Sequence, residues 1–183
     1  MKDRYLFLDI DGVVNTVMIY NRPIEGRRMI EKDHFYFDLC YPNDGRVSNE
    51  YAVRWLSKIC LEYDLKIVIT STWLIGHKLD EIKTCLYSSG LDKGVEVIDG
   101  CFKNQFKTRG VQIESWMQQN NTDPDKQIFV IIDDDIDMVG FKRDYSSYLI
   151  QCNNFIGFSM NEYQKTRSLL DTLIKEREHE EKE

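Results

Sequence analysis

A chain of 183 residues, 42% hydrophobic and 30% charged, has the composition of a single ordinary domain. Aromatics at 12% exclude disorder over most of its length, and 10 Gly with 3 Pro exclude collagen-like and proline-rich architectures. A formal charge of −7, from 24 basic and 31 acidic residues, excludes a global basic field for gripping nucleic acid and leaves room only for a local basic groove. The five cysteines, Cys40, Cys60, Cys85, Cys101 and Cys152, contain no CxxC pair and are odd in number. That argues against a zinc ribbon or a disulfide framework and for a reducing, cytoplasmic setting. The apolar stretch near Met1 is too short and too acidic for a signal peptide, and no run approaches the ~20 residues that cross a bilayer.

In chain order, Tyr5–Leu8 reads as a buried strand that stops at Asp9-Ile10-Asp11-Gly12. Residues 15–47 are the least regular stretch and read as a flap insertion, with turn signals at Asn21-Arg22-Pro23 and Pro42-Asn43-Asp44-Gly45 around a hairpin strand, His34–Leu39. Ser48 or Asn49 caps a helix carrying Ala52, Leu56, Ile59 and Tyr63. A second buried strand, Leu65–Ile69, ends in Thr70-Ser71-Thr72-Trp73. A helix over 78–88 follows and is closed by Gly90. A short strand is expected at Val95–Ile98 and a helix at 109–119. The most apolar strand, Ile128–Ile132, runs into Asp133-Asp134-Asp135-Ile136-Asp137, of which Asp137 reads as a charge at a helix N-terminus. Tyr148–Ile150 is a last strand. Ser159-Met160-Asn161-Glu162 forms a capping box that opens the final helix. Strands alternating with helices predict an α/β fold: a three-layer, doubly wound, Rossmann-like and mostly parallel sheet. We expect one domain over 1–175, followed by a charged tail at 176–183 that frays.

Three apolar strands thus end in polar residues that a core would reject: Asp9 and Asp11, Thr70 and Ser71, Asp133 and Asp134. A parallel sheet delivers all three ends to one edge, where the working residues of such folds sit. Carboxylates gathered there repel one another unless they take up protons or a cation holds them. Hard oxygen ligands suit Mg²⁺, which commonly shares a phosphate. The strand ends therefore point to a Mg²⁺ site for a phosphorylated substrate. His34, His77 and His179 are scattered and give no triad or His-based metal site. Neither a P-loop nor a dinucleotide fingerprint occurs. Trp55 and Trp116 read as core; so does Trp73, with contact to substrate as the alternative because it stands closer to the strand ends.

Phe7-Leu8-Asp9-Ile10-Asp11-Gly12-Val13-Val14 resembles the first motif of the haloacid dehalogenase (HAD) superfamily of phosphohydrolases. Ile67-Val68-Ile69-Thr70 resembles the second motif and Val130-Ile131-Ile132-Asp133-Asp134 the fourth. Lys107 and Arg109 both qualify for the basic residue of the third. Ser71-Thr72-Trp73, the run Arg109-Gly110-Val111-Gln112-Ile113-Glu114-Ser115-Trp116-Met117, and Gly157 with Ser159 before a final helix are similar to a small capless branch. That branch includes HAD domains related to RNA-repair proteins. It often carries Arg after the Trp of the second motif, where this chain has Leu74.

The resemblance implies an HAD-like fold without a large cap and a phosphomonoesterase working through an aspartyl-phosphate. Asp9 is then the nucleophile, which splits one hard displacement into two easier ones. Asp11 protonates the leaving oxygen and later deprotonates water. Thr70 binds a phosphate oxygen, and Arg109 or Lys107 neutralises charge on the phosphoryl group. Gly12 and Ser71 line the substrate. Mg²⁺ is held by Asp9, by Asp11 through its backbone carbonyl, and by Asp134 or Asp133. A site with so little cap should admit a bulky substrate, a nucleic-acid end or a phosphoprotein. The alternatives are a small-molecule (nucleotide or sugar phosphate) phosphatase and a non-catalytic HAD-like binding module. A phospho-acceptor receiver domain fits less well, because it places its accepting Asp on a later strand.

Overall fold

The computed structural model describes residues 3–16, 49–101 and 108–180. The hairpin expected at His34–Leu39 and Lys107 lie outside them. The chain runs β1 (Arg4–Leu8), α1 (Glu50–Tyr63), β2 (Leu65–Ile69), α2 (Leu79–Ser88), β3 (Val97–Gly100), α3 (Arg109–Gln119), β4 (Phe129–Asp133), β5 (Leu149–Gln151) and α4 (Met160–Glu180). Short 3₁₀ turns cover Thr72–Ile75 and Ser146–Tyr148. The five strands form one all-parallel sheet in the order β3-β2-β1-β4-β5. β1 is central, and the strand order reverses on either side of it. That reversal opens a crevice beyond the strand ends, where doubly wound sheets bind ligands.

Period-two alternation divides the sheet into two buried faces. Leu6 and Leu8, Ile67 and Ile69, Val130 and Ile132 point to one face. There they pack on Val53, Leu56 and Ile59 of α1, Ile82 and Leu86 of α2, and Tyr163 and Leu170 of α4. Tyr5, Phe7, Val68, Phe129 and Ile131 point to the other face, against Ile113, Trp116 and Met117 of α3 and against Met138 and Tyr145. Both faces being covered explains why the strands are apolar at successive positions, over Tyr5–Leu8, Ile67–Ile69 and Phe129–Ile132, rather than at alternating ones.

Caps fix the helix starts. Asn49 accepts the Ala52 N–H, and Thr108 accepts the Val111 N–H. Ser159 and Glu162 close the start of α4, with the Glu162 carboxylate accepting the Ser159 N–H. The helix then continues to Glu180, through residues that the sequence assigns to a fraying tail. β3 begins two residues later than expected because Val95 is held in a turn, its N–H on the Asp92 carbonyl. Between β2 and α3 the described residues hold a 3₁₀ turn, one helix and one strand, with no large cap. Leu74 packs against β3, where a Cβ on Gly100 would stand 2.7 Å from it. Cys60, Cys85, Cys101 and Cys152 are buried, and Cys40 lies outside the described residues. Among the described residues no helix is long and apolar enough to cross a membrane.

Candidate functional site

The site grows out of the sheet register. Leu8 pairs with Ile69 on one side and Ile132 on the other, so Asp9 lies between Thr70 and Asp133. The ladder continues past the strand ends through Asp9 N–H to the Ile132 carbonyl (3.0 Å) and Thr70 N–H to the Leu8 carbonyl (2.8 Å). The alternation therefore holds for one more step. Asp9 follows Tyr5 and Phe7, Thr70 follows Val68, and Asp133 follows Phe129 and Ile131, all on the face covered by α3. The N-terminus of α3 carries Arg109.

Arg109 reaches both carboxylates. Its Nη2 lies 3.3 Å from Asp9 Oδ1, and its Nε donates to Asp133 Oδ2 at 2.7 Å. Asp133 Oδ1 accepts the Asp135 N–H at 3.0 Å. Asp9 is 6% exposed and Asp133 wholly buried. Burial, then the neighbouring Asp133, push the Asp9 carboxyl up to about 8, although Arg109, Ser71 and the Ile10 N–H pull the other way. Burial also raises Asp133, and burial with the Asp133 charge raises Asp134. Burial works against the Arg109 cation, and Asp9 with Asp133 more than offset it, so its pKa is raised. Among the described residues, the Arg109 Nη1 and the Thr70 Oγ1 are buried without a hydrogen-bond partner. Two orphaned groups flanking one carboxylate are costly in a folded protein unless a ligand satisfies them.

Two glycines allow this approach. Gly12 has φ +72°, and a Cβ there would stand 2.3 Å from the Asp134 carboxyl carbon, so only glycine lets Asp134 fold in beside the first loop. A Cβ on Gly110 would stand 2.1 Å from the Met138 carbonyl oxygen. The start of α3 is thereby docked on the segment after β4: Gly110 N–H donates to the Asp137 carbonyl and the Thr108 hydroxyl to the Val139 carbonyl. Asp137 heads no helix, contrary to the sequence expectation. Its backbone carbonyl anchors α3 instead.

The expected residues fall as follows. Asp9, Thr70, Arg109 and Asp133 come together, with Asp134 alongside. Oxygens of Asp9, Asp133 and Asp134 lie within 4.8 Å of one another, a spacing that one ion can span. This all-oxygen donor set, whose carboxyls are raised by burial and, for Asp9 and Asp134, by the neighbouring Asp133 charge, fits Mg²⁺. The Asp11 side chain stands outside that group. Its Oδ1 accepts from Asn15 Nδ2 and its Oδ2 from Trp73 Nε1, each at 2.8 Å. Ser71 is wholly buried and caps the 72–75 turn. Gly12 makes room for Asp134. Sequence reasoning missed Asn15, Gly110 and the site-facing N–H of Trp73. The only available signals were the position of Trp73 just past the Thr70 strand end and the adjacency of Gly110 to Arg109.

The cluster links metal-free stability to pH. The Asp9 carboxyl lies above its ordinary 3.8, so the folded chain binds more protons than the unfolded one between about pH 4 and pH 8. That contribution is full below the unfolded value and is lost as pH rises through the folded one. In EDTA the thermal midpoint should therefore fall by a few degrees from pH 5 to 8.5, relative to Asp9→Asn, and Mg²⁺ should restore more at high pH than at low. Melting curves across that range check it. A wild-type-minus-variant difference that is flat with pH contradicts it.

The family of HAD domains in Swiss Army Knife RNA repair proteins matches residues 5–163. No curated protein and no solved structure matches the chain significantly. With the family spanning nearly the whole sheet and all its strand ends, the chain is a HAD-type phosphohydrolase domain and belongs to the family of HAD domains in Swiss Army Knife RNA repair proteins.

Proposed function

We propose that the protein is a Mg²⁺-dependent phosphomonoesterase that passes the phosphoryl group through Asp9 and acts on the phosphorylated end of a nucleic acid. The observation that carries the chemistry is the pair of orphaned buried donors, Arg109 Nη1 and Thr70 Oγ1, on either side of a buried carboxylate. A phosphoryl group bound at Asp9 would give each of them an acceptor.

In this reading an Asp9 carboxylate oxygen attacks phosphorus, and the bond from phosphorus to the leaving oxygen breaks as that oxygen takes a proton from Asp11. Asp11 then removes a proton from water, whose oxygen attacks the aspartyl-phosphate and frees Asp9 and inorganic phosphate. Arg109 and Thr70 hold the phosphoryl oxygens, and the Arg109 charge offsets that of the phosphate beside Asp9 and Asp133. Mg²⁺ would be held by Asp9, Asp134 and the Asp11 backbone carbonyl, with Asp133 in support, and when bound it supplies charge neutralisation at the phosphate. We favour Asp134 as the direct ligand because both Asp133 oxygens are already engaged, one by Arg109 and one by the Asp135 N–H. Lys107 keeps its expected role as the alternative cation, while Arg109 has the observed contact.

The family's RNA repair proteins favour an RNA end over a phosphoprotein, and the absence of a large cap among the described residues favours either over a small metabolite. Phosphate release should be compared for 3′- and 5′-phosphorylated oligonucleotides, mononucleotides, a sugar phosphate and a phosphopeptide, with Mg²⁺ and with EDTA. We expect Mg²⁺-dependent release, with an oligonucleotide end at least about tenfold ahead in kcat/KM, a difference of ~1.4 kcal/mol. Preference for mononucleotides or sugar phosphate would shift the reading to a small-molecule phosphatase. No release from any substrate would leave a binding module.

A further inference from the structure

We propose that Trp73 and Asn15 are positioning residues that hold the Asp11 carboxylate in the orientation for proton transfer at the leaving-group oxygen. This deepens the phosphatase reading above and rests on it.

The two contacts are built rather than incidental. Trp73 is 8% exposed and Asn15 3%. Each donates one N–H to a different Asp11 oxygen at 2.8 Å, Trp73 to Oδ2 and Asn15 to Oδ1. Asn15 is itself fixed. Its N–H donates to the Ile10 carbonyl (2.9 Å), and its carbonyl accepts the Gly12 N–H (2.7 Å), so the 10–15 loop closes on itself around Asp11. Trp73 is fixed by the 3₁₀ turn that Ser71 caps. Its carbonyl accepts from Gly76 N–H and His77 N–H, and its ring lies against His77 with centroids 5.8 Å apart.

A carboxylate that accepts a donor on each of its two oxygens has its plane fixed. That is what an acid–base group needs: a single, fixed orientation. A Trp that only filled space could satisfy its N–H on a backbone carbonyl. Placing it on the Asp two residues after the nucleophile couples the second motif to the first. Preorganisation of this kind is worth most for leaving groups that cannot depart unprotonated.

The test compares kcat/KM, which reports only the steps through phosphoryl transfer to Asp9, for two esters. An alkyl phosphate needs its leaving oxygen protonated, and 2,4-dinitrophenyl phosphate does not. For Trp73→Phe, which keeps the ring and loses the donor, kcat/KM on the alkyl ester should fall about tenfold or more, part of the 10²–10⁴ that a general acid supplies. The value on the dinitrophenyl ester should stay within about twofold of wild type. In an Asp11→Asn background Trp73→Phe should add nothing. Should Trp73→Phe fold poorly, Asn15→Ser carries the same comparison. As an activity-independent readout, the indole N–H resonance that Trp73→Phe removes should move in Asp11→Asn. Equal losses on both esters, or an undiminished effect in the Asp11→Asn background, overturn the positioning role while leaving the phosphatase reading intact. A wild type inactive on both esters overturns the phosphatase reading and this role with it.

Discussion

Asp9→Asn is expected to lower turnover by at least about 10³-fold, the scale on which removal of a nucleophile acts, while leaving the metal-free fold intact or slightly firmer. The two halves of this expectation have one cause. Without a cation the Asp9 carboxyl is pushed up to about 8 by burial and by Asp133, so near neutrality it is mostly protonated, and an amide of the same shape replaces a group that is already uncharged. The amide has no anionic oxygen to attack phosphorus. Two measurements separate these effects. Melting in EDTA should show a midpoint equal to or above wild type, and the upward shift that Mg²⁺ gives the wild type should shrink. Labelled phosphate trapped on the wild-type protein should be released by hydroxylamine, as an acyl phosphate is, and no label should be trapped on the variant. Turnover retained in Asp9→Asn would move the chemistry away from the first loop.

Arg109→Ala should harm both fold and activity. The guanidinium sits between Asp9 and Asp133 with 12% of its side chain exposed. Removing one partner of a buried ionic group costs ~3–5 kcal/mol, and here the two carboxyls recover part of it by taking up protons. A loss of about 3 kcal/mol, roughly 6–12 °C of midpoint for a chain of this size, is expected near pH 8 and should shrink toward pH 5 as those carboxyls neutralise. Turnover should fall about 10²–10³-fold, the scale for one donor on a developing phosphoryl charge. Arg109→Lys restores a charge without the fork that spans both carboxylates, so it should recover part of the stability and little of the rate. A midpoint unchanged in EDTA would show that the bridge contributes nothing to folding.

The parts of this site that were legible in the sequence are those where one local rule suffices. An apolar run that breaks at a carboxylate or hydroxyl marks a strand end, and parallel pairing does the rest. Asp9, Thr70 and Asp133 needed no more than that. The choice between Lys107 and Arg109 was not legible, because both stand near one helix start and the reach of a long side chain depends on where the helix docks. That docking depends on Gly110, whose packing against the Met138 carbonyl leaves no trace in spacing or hydropathy. Trp73 read as core because it is buried. The structure agrees about the burial, and its polar edge carries the contact with Asp11. Asp137 read as a stabilising charge at a helix N-terminus, yet it is its carbonyl that holds α3. Backbone groups are alike at every position, so sequence shows them only through their neighbours.

The central place of β1 bears on synthesis as well as on chemistry. Of the five strands of the sheet, β1 is the first in chain order, and it takes its two partners from far downstream, Tyr5 pairing with Lys66 and Phe129. Such distant parallel pairing is slow and exposes apolar edges while it waits. A nascent chain that has not yet released β4 therefore carries Asp9 without Asp133, and the carboxylate cluster is complete only once β4 has joined the sheet beside β1.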